Sequence, residues 1–168
     1  MSAFDELFTR YHAHIYGYLL GLVGNAEQAR GLTQDTFLKA YKVLSRTPDL
    51  APPIWLYRIA TDVALDALHG RRRPAPFPFA PGNDRQWVAV GAGMASACAE
   101  HAAMPTVLVR LTPRQRACLL LRARGGFSID DIVHILGISP GAVKVTLRRV
   151  KEQCRTEASA APVRQPSR

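Results

Sequence analysis

The sequence predicts an all-α chain of two small helical domains joined by a flexible linker, and three observations carry that expectation. Apolar residues recur at i, i+3, i+4 and i+7 in successive stretches, the spacing that lines one helical face. These stretches tend to open on Ser, Thr or Asn and close on Gly, the residues that cap helices. At PAPFPFAPGND the composition turns abruptly to alternating prolines, which divides the chain. The expected division is a first domain over 1–73, a linker over 74–104, a second domain over 105–155 and a disordered tail over 156–168.

The first helix covers Ala3 to Val23, with Phe4, Leu7, Phe8, Tyr11, Ile15, Tyr18, Leu19 and Leu22 on its apolar face. Gly24 ends it, and Asn25 with Gln28 caps the second, from Ala26 to Ser45. That second helix carries Ala29, Leu32, Thr33, Phe37, Leu38, Tyr41 and Leu44, with Gln34, Asp35 and Lys39 outside. SRTPDLAPP is a loop. A third helix runs from Pro53 to about Arg72, with Trp55, Leu56, Ile59, Val63 and Leu68 inward. Arg58, Thr61, Asp62 and Asp66 are expected on its outer side, and Arg71, Arg72 and Arg73 end it.

Beyond the linker, Thr112-Pro113 starts a helix that buries Ala117, Leu120 and Leu121 and stops at Gly125-Gly126. Five arginines and no acid lie between Arg110 and Arg124, so this helix is expected along phosphates. Ser128 and Asp131 cap the next helix, in which Ile129, Ile132, Val133 and Leu136 share a face. Gly137 suits a left-handed stop, and Ser139-Pro140 opens another helix at once. That helix buries Val143, Leu147 and Val150 and turns Lys144, Val145, Arg148 and Arg149 outward. Two short helices, a tight glycine turn and a basic second helix make the helix-turn-helix pattern, which reads DNA.

The formal net charge of +9 and a pI of about 10.1 agree with a polyanionic partner. With 48% apolar residues, wholesale disorder is excluded. No apolar run is long enough to span a bilayer and MSAFDELF reads as a helix start, so a cytoplasmic location is expected. Cys98, Cys118 and Cys154 have no metal-ligand spacing. His12, His14, Asp62, Asp66 and His69 form no known ligand pattern either, so neither a metal, a cofactor nor an enzyme is expected.

LTQDTFLKAYKVL followed by WLYRIATDVALDAL resembles region two of the extracytoplasmic-function sigma factors, bacterial RNA polymerase initiation factors. LTPRQRACLLLR followed by SIDDIVHILGISPGAVKVTLRRVK resembles their region four. The resemblance implies that Gln34, Asp35, Phe37, Leu38 and Tyr41 dock on the clamp coiled coil of the largest subunit of core polymerase. It implies that the loop from Arg46 to Pro53 captures a flipped base of the minus-ten element. Arg58, Thr61, Asp62 and Arg71–Arg73 would face promoter DNA nearby. Arg114 and the recognition helix, through Ser139, Pro140, Gly141, Ala142, Lys144, Val145, Arg148 and Arg149, would engage the minus-thirty-five element. An anti-sigma partner is also implied.

Three departures from the family text stand out. Gln28-Ala29-Arg30-Gly31 replaces the usual acidic pair, Thr61-Asp62 the usual Arg-Asn, and Val145-Thr146 the usual Ser-Arg. The last of these removes a cation and adds an apolar contact suited to a thymine methyl, so an unusual promoter preference is expected. Two other readings remain: a stand-alone helix-turn-helix regulator, and a sigma-like protein that acts by sequestration.

Overall fold

A computed structural model of the chain describes residues 3–46, 53–70 and 104–160. These residues form helices α1 (Ala3–Val23), α2 (Ala26–Leu44), α3 (Ile54–His69), α4 (Met104–Arg110), α5 (Pro113–Ala123), α6 (Ile129–Leu136) and α7 (Pro140–Ala160). Among the described residues there is no strand. The stretch from Arg71 to Ala103, most of the loop after Arg46, Cys98 and the end of the tail lie outside them.

Local chemistry sets the helix ends. Gly24 takes a positive φ of 71° after α1, and the Asn25 side chain accepts from Gln28 N at 2.9 Å to start α2. Reciprocal capping boxes start α5, through Thr112 and Gln115, and α6, through Ser128 and Asp131. Gly137 (φ 63°, ψ 33°) ends α6 in the left-handed conformation, and Ser139 Oγ accepts from Ala142 N at 3.2 Å to open α7.

The last helix runs five residues beyond the expected end of the second domain at Arg155. Nothing between Lys151 and Ala160 breaks a helix, and Cys154 follows Val150 by one turn into a small core with Val107, Leu108, Leu111 and Leu119. Stretch 156–160 is therefore helix, not disordered tail.

The first unit packs α1, α2 and α3 around Ile15, Leu19, Leu22, Phe37 and Leu56, and the second packs α4 to α7. The two units are not separate bodies. One apolar core continues from Tyr57, Ala60 and Ala64 into Cys118, Leu121, Phe127 and Ile132, where α1 and α3 meet α5 and α6. Helix α3 is thus covered on two sides, which buries the small residues Ala60 and Ala64 that its apolar pattern had left unassigned.

Candidate nucleic-acid interface

Helix α7 is fixed from beneath by Val143 and Val150, both buried, with Leu147 packed against the core between them, so Lys144, Val145, Arg148 and Arg149 point away from the protein. Lys144, Val145, Arg148 and Arg149 are exposed, as are Ser139, Pro140, Gly141 and Ala142 at its N-terminus. This is a cationic helix face with an apolar spot at Val145 and unobstructed first-turn backbone. It can enter a major groove, its arginines and lysine reaching phosphates or base edges.

Two cations at a distance from that face behave differently. Arg116 is only 7% exposed: its Nε donates to the Leu111 carbonyl and its Nη1 to the Leu22 carbonyl at 2.8 Å. Arg124 Nη1 donates to the Gly17 carbonyl at 2.6 Å. Burial pulls the pKa of both guanidiniums down. The expectation that α5 lies along phosphates therefore fails for these two, because α1 occupies that side. Arg114 remains exposed, and Arg122 donates to the Phe127 carbonyl while staying at the surface.

On α3, Arg58 and Asp62 are exposed as expected. Thr61 is not: at 1% exposure its hydroxyl donates to the Tyr57 carbonyl at 2.7 Å and lies 2.8 Å from the Tyr18 hydroxyl. Its single proton being engaged, Thr61 accepts the proton of Tyr18. Burial raises the pKa of Tyr18, which keeps that donor protonated. Thr61 is a structural residue and faces no DNA. Arg71, Arg72 and Arg73 lie outside the described residues.

On α2, Gln34 and Asp35 are exposed, with Leu38 at 63% and Tyr41 at 58%. Both large side chains lie open to solvent on one side of α2. Phe37, at 3%, is instead part of the core and cannot touch a partner directly. The patch continues onto α1, which the sequence pattern did not reveal. Phe4 meets Tyr41 edge-on at 5.2 Å, and Phe8, still 41% exposed, packs on Phe37 at 4.9 Å with His12 beside it. Periodicity placed Phe8 on the buried face, whereas it sits at the edge of that face, beside the buried Leu7.

Among the described residues no three His, Cys, Asp or Glu side chains come together as a metal site, and no helix is long and apolar enough to cross a membrane. Cys118 and Cys154 are buried thiols, and burial pushes Cys118 up to about 11, which makes it a poor nucleophile.

Residues 7–74 match the family model for sigma-70 region 2, and residues 101–154 that for sigma-70 region 4. The chain is 32% identical over 150 residues to the ECF RNA polymerase sigma factor SigM of Mycobacterium tuberculosis, covering 89% of this chain and 74% of that one. It is 31% identical over 155 residues to the RNA polymerase sigma factor CarQ of Myxococcus xanthus, covering 92% and 88%. Its fold is similar, at a TM-score of 0.68 and 17% identity, to the sigma factor RpoE of Bartonella quintana solved with the anti-sigma factor NepR, over 98% of this chain and 100% of that one. Both regions are present in order, with the helix-turn-helix in the second and the exposed apolar side chains Phe8, Leu38 and Tyr41 in the first. The chain belongs to the extracytoplasmic-function group of the sigma-70 family and is an RNA polymerase sigma factor.

Proposed function

We propose that α7 reads the upstream, minus-thirty-five promoter element in the major groove while the outer face of α2 holds core polymerase. The observation that carries this is the sharp division of α7 into a buried Val143–Val150 side and an exposed Lys144, Val145, Arg148, Arg149 side. Lys144, Arg148 and Arg149 contact phosphates or base edges, Val145 meets a thymine methyl, and the first turn from Ser139 to Ala142 approaches the backbone. Arg114 adds a phosphate contact from α5.

On the first unit, Gln34, Asp35, Leu38 and Tyr41 form the docking surface for the clamp coiled coil of the largest polymerase subunit. Arg58 and Asp62 face the DNA where it opens at the minus-ten element, with Asp62 supplying an acceptor where an asparagine is usual. The loop after Arg46 and the Arg71–Arg73 triplet complete that region. The protein acts in the cytoplasm and is held in check by an anti-sigma factor. Similarity in fold to a sigma factor solved with such a partner supports that last point.

Pull-down of bacterial core polymerase, followed by transcription from a random-sequence promoter library, tests the reading. Stable association and selection of a two-block promoter are expected. Polymerase binding without transcription would favour sequestration, and duplex binding without polymerase would favour a stand-alone regulator.

A further inference from the structure

The helix that carries the DNA reader continues past it. The reading face ends at Arg149, yet α7 runs on to Ala160. Its later turns are held in place, because Val150 and Cys154 are buried in the small core with Val107, Leu108, Leu111 and Leu119. At about 100° per residue, the exposed side chains of α7 fall on two lines along its axis. Val145, Arg149, Glu152 and Thr156 make one, which loses its positive charge halfway. Lys144, Arg148, Lys151 and Arg155, at i, i+4, i+7 and i+11, make the other, which is cationic throughout and exposed at every position. The helix dipole does not account for Lys151 and Arg155, since the last turn of α7 holds no basic residue. With a rise of about 1.5 Å per residue the cationic line is roughly 16 Å long. A helix that enters a major groove about 12 Å wide and about 8.5 Å deep by its N-terminal half cannot seat all of that length among base edges. The far end of the line comes out at the level of the sugar-phosphate walls.

We propose that Lys151 and Arg155 grip the phosphate backbone flanking the minus-thirty-five element, outside the bases that α7 reads. The inference rests on the reading that α7 enters that element by its N-terminal half. Duplex DNA is the occupant because the two cations continue the line of Lys144 and Arg148 without a break in position or in sign of charge. A contact of this kind adds affinity and fixes the tilt of the helix, but carries no sequence information. Glu152, exposed beside Lys151, repels phosphate there and limits the strength of the grip.

Fluorescence anisotropy with the full chain tests the grip on two duplexes that carry the library-selected minus-thirty-five block. One has natural flanks, and the other has neutral methylphosphonates in place of the flanking phosphates. K151Q/R155Q is expected to bind the natural duplex roughly tenfold more weakly than wild type, with a log–log salt slope shallower by about 0.9 per lost contact. The loss is expected to be the same whatever the sequence of the flanks, at unchanged helix content by circular dichroism. On the neutral-flank duplex the variant and wild type are expected to bind alike. Glu152→Gln is expected to tighten binding to the natural duplex. A K151Q/R155Q chain that binds the natural duplex as tightly as wild type would overturn the proposal, and so would an equal loss on both duplexes. Intact duplex binding with weakened polymerase association would assign the two cations to an acidic protein surface instead. Equal binding by wild type and R148A/R149A would overturn the reading of α7 itself, and this inference with it.

Discussion

Helices α5 and α7 are both short on acids and rich in arginine, yet they present their cations to different things. On α7, Arg148 and Arg149 stand in solvent on a helix held down by Val143 and Val150. On α5, Arg116 and Arg124 reach backbone carbonyls of α1, 94 and 107 positions away in the chain. A positive charge on a helix therefore does not by itself mark a DNA-binding face. What separates the two helices is whether another element has already taken the acceptor role that phosphate would fill.

Exchanging the roles of the two helices in experiment would break that comparison most directly. Replacing Arg148 and Arg149 by Ala is expected to weaken binding to upstream promoter duplex by roughly one to two orders of magnitude, and to make the log–log salt slope shallower by about 0.9 per lost phosphate contact. R116Q/R124Q is expected to leave that slope unchanged, measured by titration over a salt series. Equal loss in both variants would mean that α5 touches DNA after all.

The first unit offers the same inward-against-outward test with neighbouring residues. Leu38→Asp is expected to reduce association with core polymerase by about tenfold, with the thermal midpoint of the free protein unchanged because the side chain is 63% exposed. An unaltered polymerase affinity would place the docking surface elsewhere.

The smaller effects sharpen the account of how α6 presents α7. Ser128→Ala removes one half of a capping box and is expected to cost about 1 kcal/mol, read as a lower urea midpoint. An effect of similar size is expected from alkaline pH. Cys118 is neutral in the core with its pKa pushed up to about 11, whereas the unfolded thiol ionises near 9. The unfolded chain thus releases a proton that the folded chain keeps, so stability is intact below pH 9 and declines as the pH rises from 9 towards 11. Tyr57, pushed up to about 12 by burial against the opposing pull of Arg124, extends the decline upward. Urea midpoints at pH 8 and pH 10 check this; a higher midpoint at pH 10 would contradict it.

Much of the second unit was legible because its signals are local. Ser128 with Asp131, Gly137, and Ser139 before Pro140 act within one turn of chain, and each forms the cap or turn its side chain permits. The outward set on α7 followed, since one apolar stripe fixes the rotation of a helix packed on one side. The end of α7 was misread because a polar, alanine-containing stretch is equally compatible with helix and coil until Cys154 finds its core.

The sequence by itself therefore determined the helices, their caps, the turn that makes the DNA reader, and the family to which the chain is similar. Only the tertiary structure decided which polar and aromatic residues were available at the surface. Phe37, Thr61, Arg116 and Arg124 were all placed outward or on DNA by pattern or resemblance, and all four are engaged inside. For Thr61, Arg116 and Arg124 the physical reason is common. Periodicity reports a single buried face, but α1, α3 and α5 are each packed on more than one side. The second contact is made by small residues and by hydrogen bonds to distant carbonyls, neither of which leaves a hydrophobic period to read.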